Sequence, residues 1–167
     1  PKECWSETKR PTRARSETSA GTSRAYGFAV IPWGLFGLQK FHLERAKGCC
    51  EYCRTPAKFS PNSFSIEHVI PRSVGGVSEL GNLALACQGC NNHKYTATAA
   101  LDPVSGQTVP LFNPRLEEWG SHFQWDSSFT LIIGISATGR ATLKKLHLNR
   151  EGIVNLRKVL VAAGLFP

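Results

Sequence analysis

The sequence predicts an α+β fold whose small core is clipped together by cysteines. Three observations carry that expectation. Two Cys-x-x-Cys pairs, Cys50/Cys53 and Cys87/Cys90, frame residues 54–86. Two short apolar stretches suited to strands, 64–70 and 83–86, lie inside that frame. Helical apolar spacing recurs on both sides of it.

In chain order, residues 1–25 are polar, basic and rich in Ser and Thr, which predicts an irregular arm. Residues 26–38, YGFAVIPWGLFGL, are apolar but broken by Pro and Gly, and should pack on the main domain rather than stand as a free helix. QKFHLERAK (39–47) sets Phe41, Leu43 and Ala46 near one side, a short helix ended by Gly48. A loop with Pro56 and Pro61 leads to the strand 64–70. PRSVGGVSELGN (71–82) is a turn-rich connection, and 83–86 leads into the second cysteine pair. CNNHKYTATAA (90–100) reads as a helix stopped at Asp102-Pro103. Residues 102–120 then form a long loop punctuated by prolines. Residues 121–125 and 129–135 read as paired strands, and 138–148 and 150–163 as two helices. The last helix spaces Leu156, Val159, Leu160 and Ala163 for one buried face. The expected organisation is an N-terminal arm and packing segment (1–38), a cysteine-framed core (39–103) and a C-terminal extension packed on it (104–167).

A chain of 167 residues is long enough for one domain with its own core. No apolar run approaches the roughly 18 residues of a membrane span. The first 27 residues contain no apolar signal core, and the expected location is the cytoplasm. The formal charge is +8. Lys and Arg exceed Asp and Glu by six to three over 1–30, seven to four over 31–100 and seven to five over 101–167. That spread suits a polyanion met over a broad face, and nucleic acid is the expected partner.

Six cysteines in a chain of this length do not make a disulfide scaffold. Two Cys-x-x-Cys pairs read instead as a zinc site in a reduced compartment. Each pair sits at a tight turn where two sulfurs converge on one ion. Four thiolates close the tetrahedron, which makes the zinc structural and leaves no position for a reacting water. A rubredoxin-like iron site and a redox dithiol are the competing readings. Cys49 falls outside the spacing and is expected as a buried spare, and Cys4 as a lone thiol in the arm.

Inside the frame, SIEHVIPRSVGG places Glu67 and His68 side by side where an apolar strand ends. Asn82 follows Gly81, and Asn91, Asn92, His93 and Lys94 follow the second pair. The order Cys-x-x-Cys, acid-His-x-x-Pro, Gly-Gly, Gly-Asn-Leu, Cys-x-x-Cys-Asn-x-x-Lys over about residues 48–95 resembles the HNH endonuclease family. The resemblance implies a ββα-metal core, a hairpin, loop and helix around one divalent cation, which cleaves DNA and leaves 5′-phosphate and 3′-hydroxyl ends. By that resemblance Asn82 is the middle residue of the motif, tying the loop together and orienting His68. LFNPRLEEW (111–119) also resembles an extension of stand-alone bacterial members, without an assignable chemical role.

The chemistry can be argued from the residue types. Phosphodiester hydrolysis needs a water deprotonated on one side of phosphorus and charge neutralised at the leaving oxygen on the other. Adjacent strand residues point to opposite faces, so Glu67 and His68 can serve the two sides. Neutral imidazole makes His68 the candidate general base. Glu67 is a hard oxygen ligand for Mg²⁺ or Mn²⁺, and a helix starting near Cys90 would bring Asn91 to the same ion. Many family members carry His where this chain has Asn91 and Asp where it has Glu67. The amide favours Mg²⁺ or Mn²⁺ over Zn²⁺ at that position. His93 is an alternative ligand if the helix register differs. Lys94 and Arg72 are candidate phosphate contacts. His42, His122 and His147 are read as structural or surface groups, Glu117-Glu118 as a solvated helix start, and the tryptophans as core. Lys9, Arg10, Arg13 and Arg15 could track phosphates or form a solvated tail. The rival reading is a zinc-knuckle module that binds nucleic acid without cutting it.

Overall fold

The computed structural model describes residues 35–166. The arm, with Cys4 and its basic residues, therefore lies outside the described residues. Helix α1 (Leu35–Arg45) precedes the first cysteine pair. Strand β1 (Ser65–His68) pairs antiparallel with β2 (Leu83–Ala86), Glu67 facing Ala84 and His68 facing Leu83. Helix α2 (Gln88–Lys94) follows directly and packs on both strands. Two further antiparallel pairs follow: β3 (Ala99–Leu101) with β4 (Thr108–Pro110), and, after the short α3 (Trp119–His122), β5 (Phe123–Trp125) with β6 (Ile132–Gly134). Helices α4 (Ala137–Lys145) and α5 (Glu151–Ala162) complete the α+β arrangement. No helix among the described residues is long and apolar enough to cross a membrane.

The loop 69–82 joining β1 to β2 is closed by one side chain. Asn82 Oδ1 accepts from Ile70 N at 2.8 Å, and its Nδ2 donates to Ile70 O and Val77 O, each at 2.9 Å. Gly76 has a separate reason to be glycine: a Cβ there would meet Ile70 O at 1.8 Å. The Gly-Gly pair thus lets the loop fold back on the residues just after His68.

Three expectations need correction. The helix expected over 90–100 begins at Gln88 and ends at Lys94, and residues 99–101 are a strand. The long loop expected over 102–120 contains the turn and second strand of a hairpin, residues 102–110. Buried Asp102 organises its turn by accepting from Val104 N, Ser105 N and the Ser105 hydroxyl. Arg140 of α4 pins that carboxylate with two hydrogen bonds, 2.9 and 2.7 Å, and holds it well below the usual carboxylate range. In α5, Val159 and Ala163 are exposed, whereas Arg157 is 2% exposed. A buried guanidinium is tolerated only with acceptors around it. Arg157 has four: the carbonyls of Thr130, Cys53 and Leu148, and Asn149 Oδ1.

A single apolar cluster runs from the cysteine frame into the C-terminal residues. It joins Tyr52, Phe64, Val69 and Leu85 to Phe112, Trp119, Phe123, Ile132, Leu146 and Leu148. The segment LFNPRLEEW gains a structural role here. Trp119 Nε1 donates to Tyr52 O at 3.0 Å, Arg115 pairs with Glu51, and the Phe112 ring meets the Tyr52 ring edge-on at 6.3 Å. All three contacts fall on the two residues between Cys50 and Cys53. The segment is a buttress behind the first cysteine pair.

Candidate active site and metal centre

Cys50, Cys53, Cys87 and Cys90 are buried, and their sulfurs all lie within 4.8 Å of one another. Cys53 Sγ and Cys87 Sγ are 3.7 Å apart. A tetrahedron with Zn–S bonds of about 2.3 Å has edges of about 3.8 Å, so the donor set fits a four-thiolate zinc ion. Cys49 is buried beside the cluster but outside it. Its sulfur is engaged in a disulfide, which corrects the expectation of a spare thiol.

Arg150, just before α5, covers the cluster. Its Nη2 donates to Cys87 Sγ at 3.0 Å, and its Nη1 lies 3.7 Å from Cys90 Sγ. Burial pulls this guanidinium toward neutrality, but the sulfurs of Cys90, Cys53 and Cys87 outweigh it and hold the charge more firmly than usual. Gly89 makes the approach possible, because a Cβ there would lie 2.5 Å from the Arg150 guanidinium carbon. Four thiolates and one Zn²⁺ carry a net charge of −2, which a donated cation offsets. Arg150→Ala is therefore expected to speed zinc transfer to a chromogenic chelator by roughly 10- to 100-fold, the usual scale for outer-shell partners. An unchanged rate would show that Arg150 only packs there.

At the end of β1 the two ionisable residues differ in burial. Glu67 is 5% exposed and His68 half-buried. Glu67 Oε1 accepts from the Tyr52 hydroxyl, and Lys94 Nζ lies 2.9 Å from Oε2. Tyr52 sits between Cys50 and Cys53, and Lys94 lies one helical turn after Cys90. Each cysteine pair thus delivers one donor to this carboxylate. Burial and the Glu67 charge together push the Tyr52 phenol well above its ordinary pKa, so it remains a donor. Lys94 is 1% exposed and also donates to His68 O at 3.0 Å. The expectation that Lys94 reaches a phosphate is corrected: its ammonium is spent inside the protein.

His68 Nε2 makes a 2.8 Å hydrogen bond with Ser78 Oγ. Asn82 does not touch the imidazole. Its side chain clamps the loop that presents Ser78, so any hold on His68 runs through the loop. Glu67, His68, Asn91, Arg72 and Tyr95 line one cleft of about 360 Å³. Arg72 is exposed there. His93 does not line it. Its ring stacks on His147, 4.4 Å between centroids, and burial followed by the nearby cationic groups lowers its pKa. An ionised carboxylate offers about four lone-pair sites, and two of those on Glu67 are taken. The remaining sites share the cleft with Asn91.

Sequence reasoning missed Tyr52, Ser78 and Tyr95. Tyr52 had a signal, since a residue between two metal ligands has a fixed position. Ser78 had none beyond its place in a loop, and Tyr95 fell inside the helix expected over 90–100.

Residues 50–97 match the family model described as HNH endonuclease. No curated protein and no solved structure gives a significant match to the chain.

Proposed function

We propose, from the HNH endonuclease domain at residues 50–97, that the chain is a metal-dependent endonuclease that hydrolyses DNA phosphodiesters. The observation that carries the reading is the convergence of Glu67, His68 and Asn91 on one cleft beside a buried four-cysteine cluster. Glu67 and Asn91 would hold one Mg²⁺ or Mn²⁺, whose chemistry there is to neutralise charge on the phosphate and its leaving oxygen.

The protein's own residues divide the remaining work. With Ser78 Oγ accepting from Nε2–H, His68 keeps its Nδ1 lone pair for a water proton, the arrangement a general base requires. Tyr52 and Lys94 fix the rotamer of Glu67 from two sides, so its cleft-facing edge needs no reordering when DNA arrives. Asn82 keeps the loop closed around Ser78. Arg72 is the exposed cation for the phosphates on either side of the cut. The even spread of positive charge supplies sequence-independent attraction.

Supercoiled plasmid tests the reading. Zinc-loaded protein with added Mn²⁺ or Mg²⁺ should give nicked or linear DNA, and no cleavage without the added cation. Salt-dependent retardation of DNA with no cleavage under any divalent cation would favour the binding module instead.

A further inference from the structure

Tyr95 closes α2 with φ 50° and ψ −120°. That backbone region favours glycine, and a residue with a side chain occupies it only under strain. Packing does not offset the strain, because the residue is 78% exposed. The ring stands at the cleft with His68, Asn91 and Arg72, and it is the one large aromatic among the cleft's lining residues besides the imidazole. An exposed phenol held in an unfavourable conformation at the mouth of a site has no role in the hydrolysis derived above.

We propose that Tyr95 is a stacking platform for one nucleobase beside the phosphodiester held in the cleft. A base inside a regular duplex has both faces covered by its neighbours. Tyr95 can stack only on a base displaced from that stack. The substrate class that follows is DNA with an unstacked nucleotide at the cut site: single-stranded DNA or a locally distorted duplex. Arg72 complements the ring by meeting the backbone while the ring meets the base. The inference rests on the nuclease reading for where the phosphate lies, but stacking itself needs no cleavage.

Binding of a labelled single-stranded oligonucleotide and of the same sequence as a blunt duplex tests it, with zinc-loaded protein and no added divalent cation. Tyr95→Ala should weaken single-strand binding by roughly 10- to 100-fold and duplex binding by less than twofold. Tyr95→Phe should bind as the wild type does. Tyr95→Gly should lose the same affinity as Tyr95→Ala yet melt at a higher temperature, because it relieves the strain. Equal losses on the two DNA forms would overturn the proposal, and so would a Tyr95→Phe variant as weak as Tyr95→Ala, which would mark a hydroxyl–phosphate contact. Failure of wild type to bind the single strand would also overturn it. Discriminating binding without cleavage in Mg²⁺ or Mn²⁺ would leave the stacking intact and remove the nuclease reading.

Discussion

Removing the metal from the four-cysteine cluster is expected to unfold the protein. The expected result of Cys53→Ser, or of stripping the metal with a strong chelator, is loss of cooperative melting rather than a modest shift. The four sulfurs sit inside the same apolar cluster as Tyr52, Leu85, Phe112 and Trp119. Metal binding there is folding free energy, about 10–16 kcal/mol in small zinc modules. A domain's whole stability is about 5–15 kcal/mol. The buttress 111–119 is expected to loosen with it, since Arg115 and Trp119 hold Glu51 and Tyr52 between two of the ligands. Circular dichroism and a thermal melt of metal-free protein decide the matter. A sharp transition retained within about 5 °C of wild type, a change of about 1–3 kcal/mol at this size, would mean that apolar packing carries the fold.

The second large effect is on Lys94. Lys94→Ala leaves Glu67 buried and unpaired, a change expected to cost about 3–5 kcal/mol. The same substitution at a surface phosphate contact would change stability by about 0.5 kcal/mol or less. It would instead weaken DNA binding and flatten its salt dependence. Denaturant unfolding separates these outcomes. The double variant Lys94→Met, Glu67→Gln should recover part of the stability, because the stranded charge is gone. A single variant of wild-type stability with weaker DNA binding would restore Lys94 to the surface.

Those two results also mark where the sequence was legible. The cysteine frame could be read because ligand spacing is a covalent constraint that no tertiary contact overrides. The strands at 65–68 and 83–86, the β5–β6 pair and the two last helices were legible from local apolar patterning. What failed depended on distant partners. Lys94 looks like a surface lysine in a polar helix, and only Glu67, brought in by the hairpin, draws it inside. The buried face of α5 is turned away from Val159 and Ala163 toward Arg157 and Leu160, because carbonyls from Cys53, Thr130 and Leu148 meet Arg157 there. Residues 95–100 fall inside the helix expected over 90–100. The positive φ of Tyr95 and the turn built on Asp102 make a hairpin instead. The sequence named Glu67, His68 and Asn91, which line one cleft, while the contacts of Tyr52 to Glu67 and of Ser78 to His68 emerged from the geometry.

The account rests on His68, and one comparison tests it most directly: plasmid cleavage by wild type and His68→Ala, both with zinc content measured, in Mn²⁺ or Mg²⁺. His68 is half-buried at the end of β1 and its backbone pairing is independent of the ring, so the variant should fold and keep its zinc. The account predicts a fall in cleavage rate of about 10²- to 10⁴-fold at unchanged DNA affinity, the range a lost general base commands. A zinc-loaded variant that cuts at the wild-type rate would contradict it.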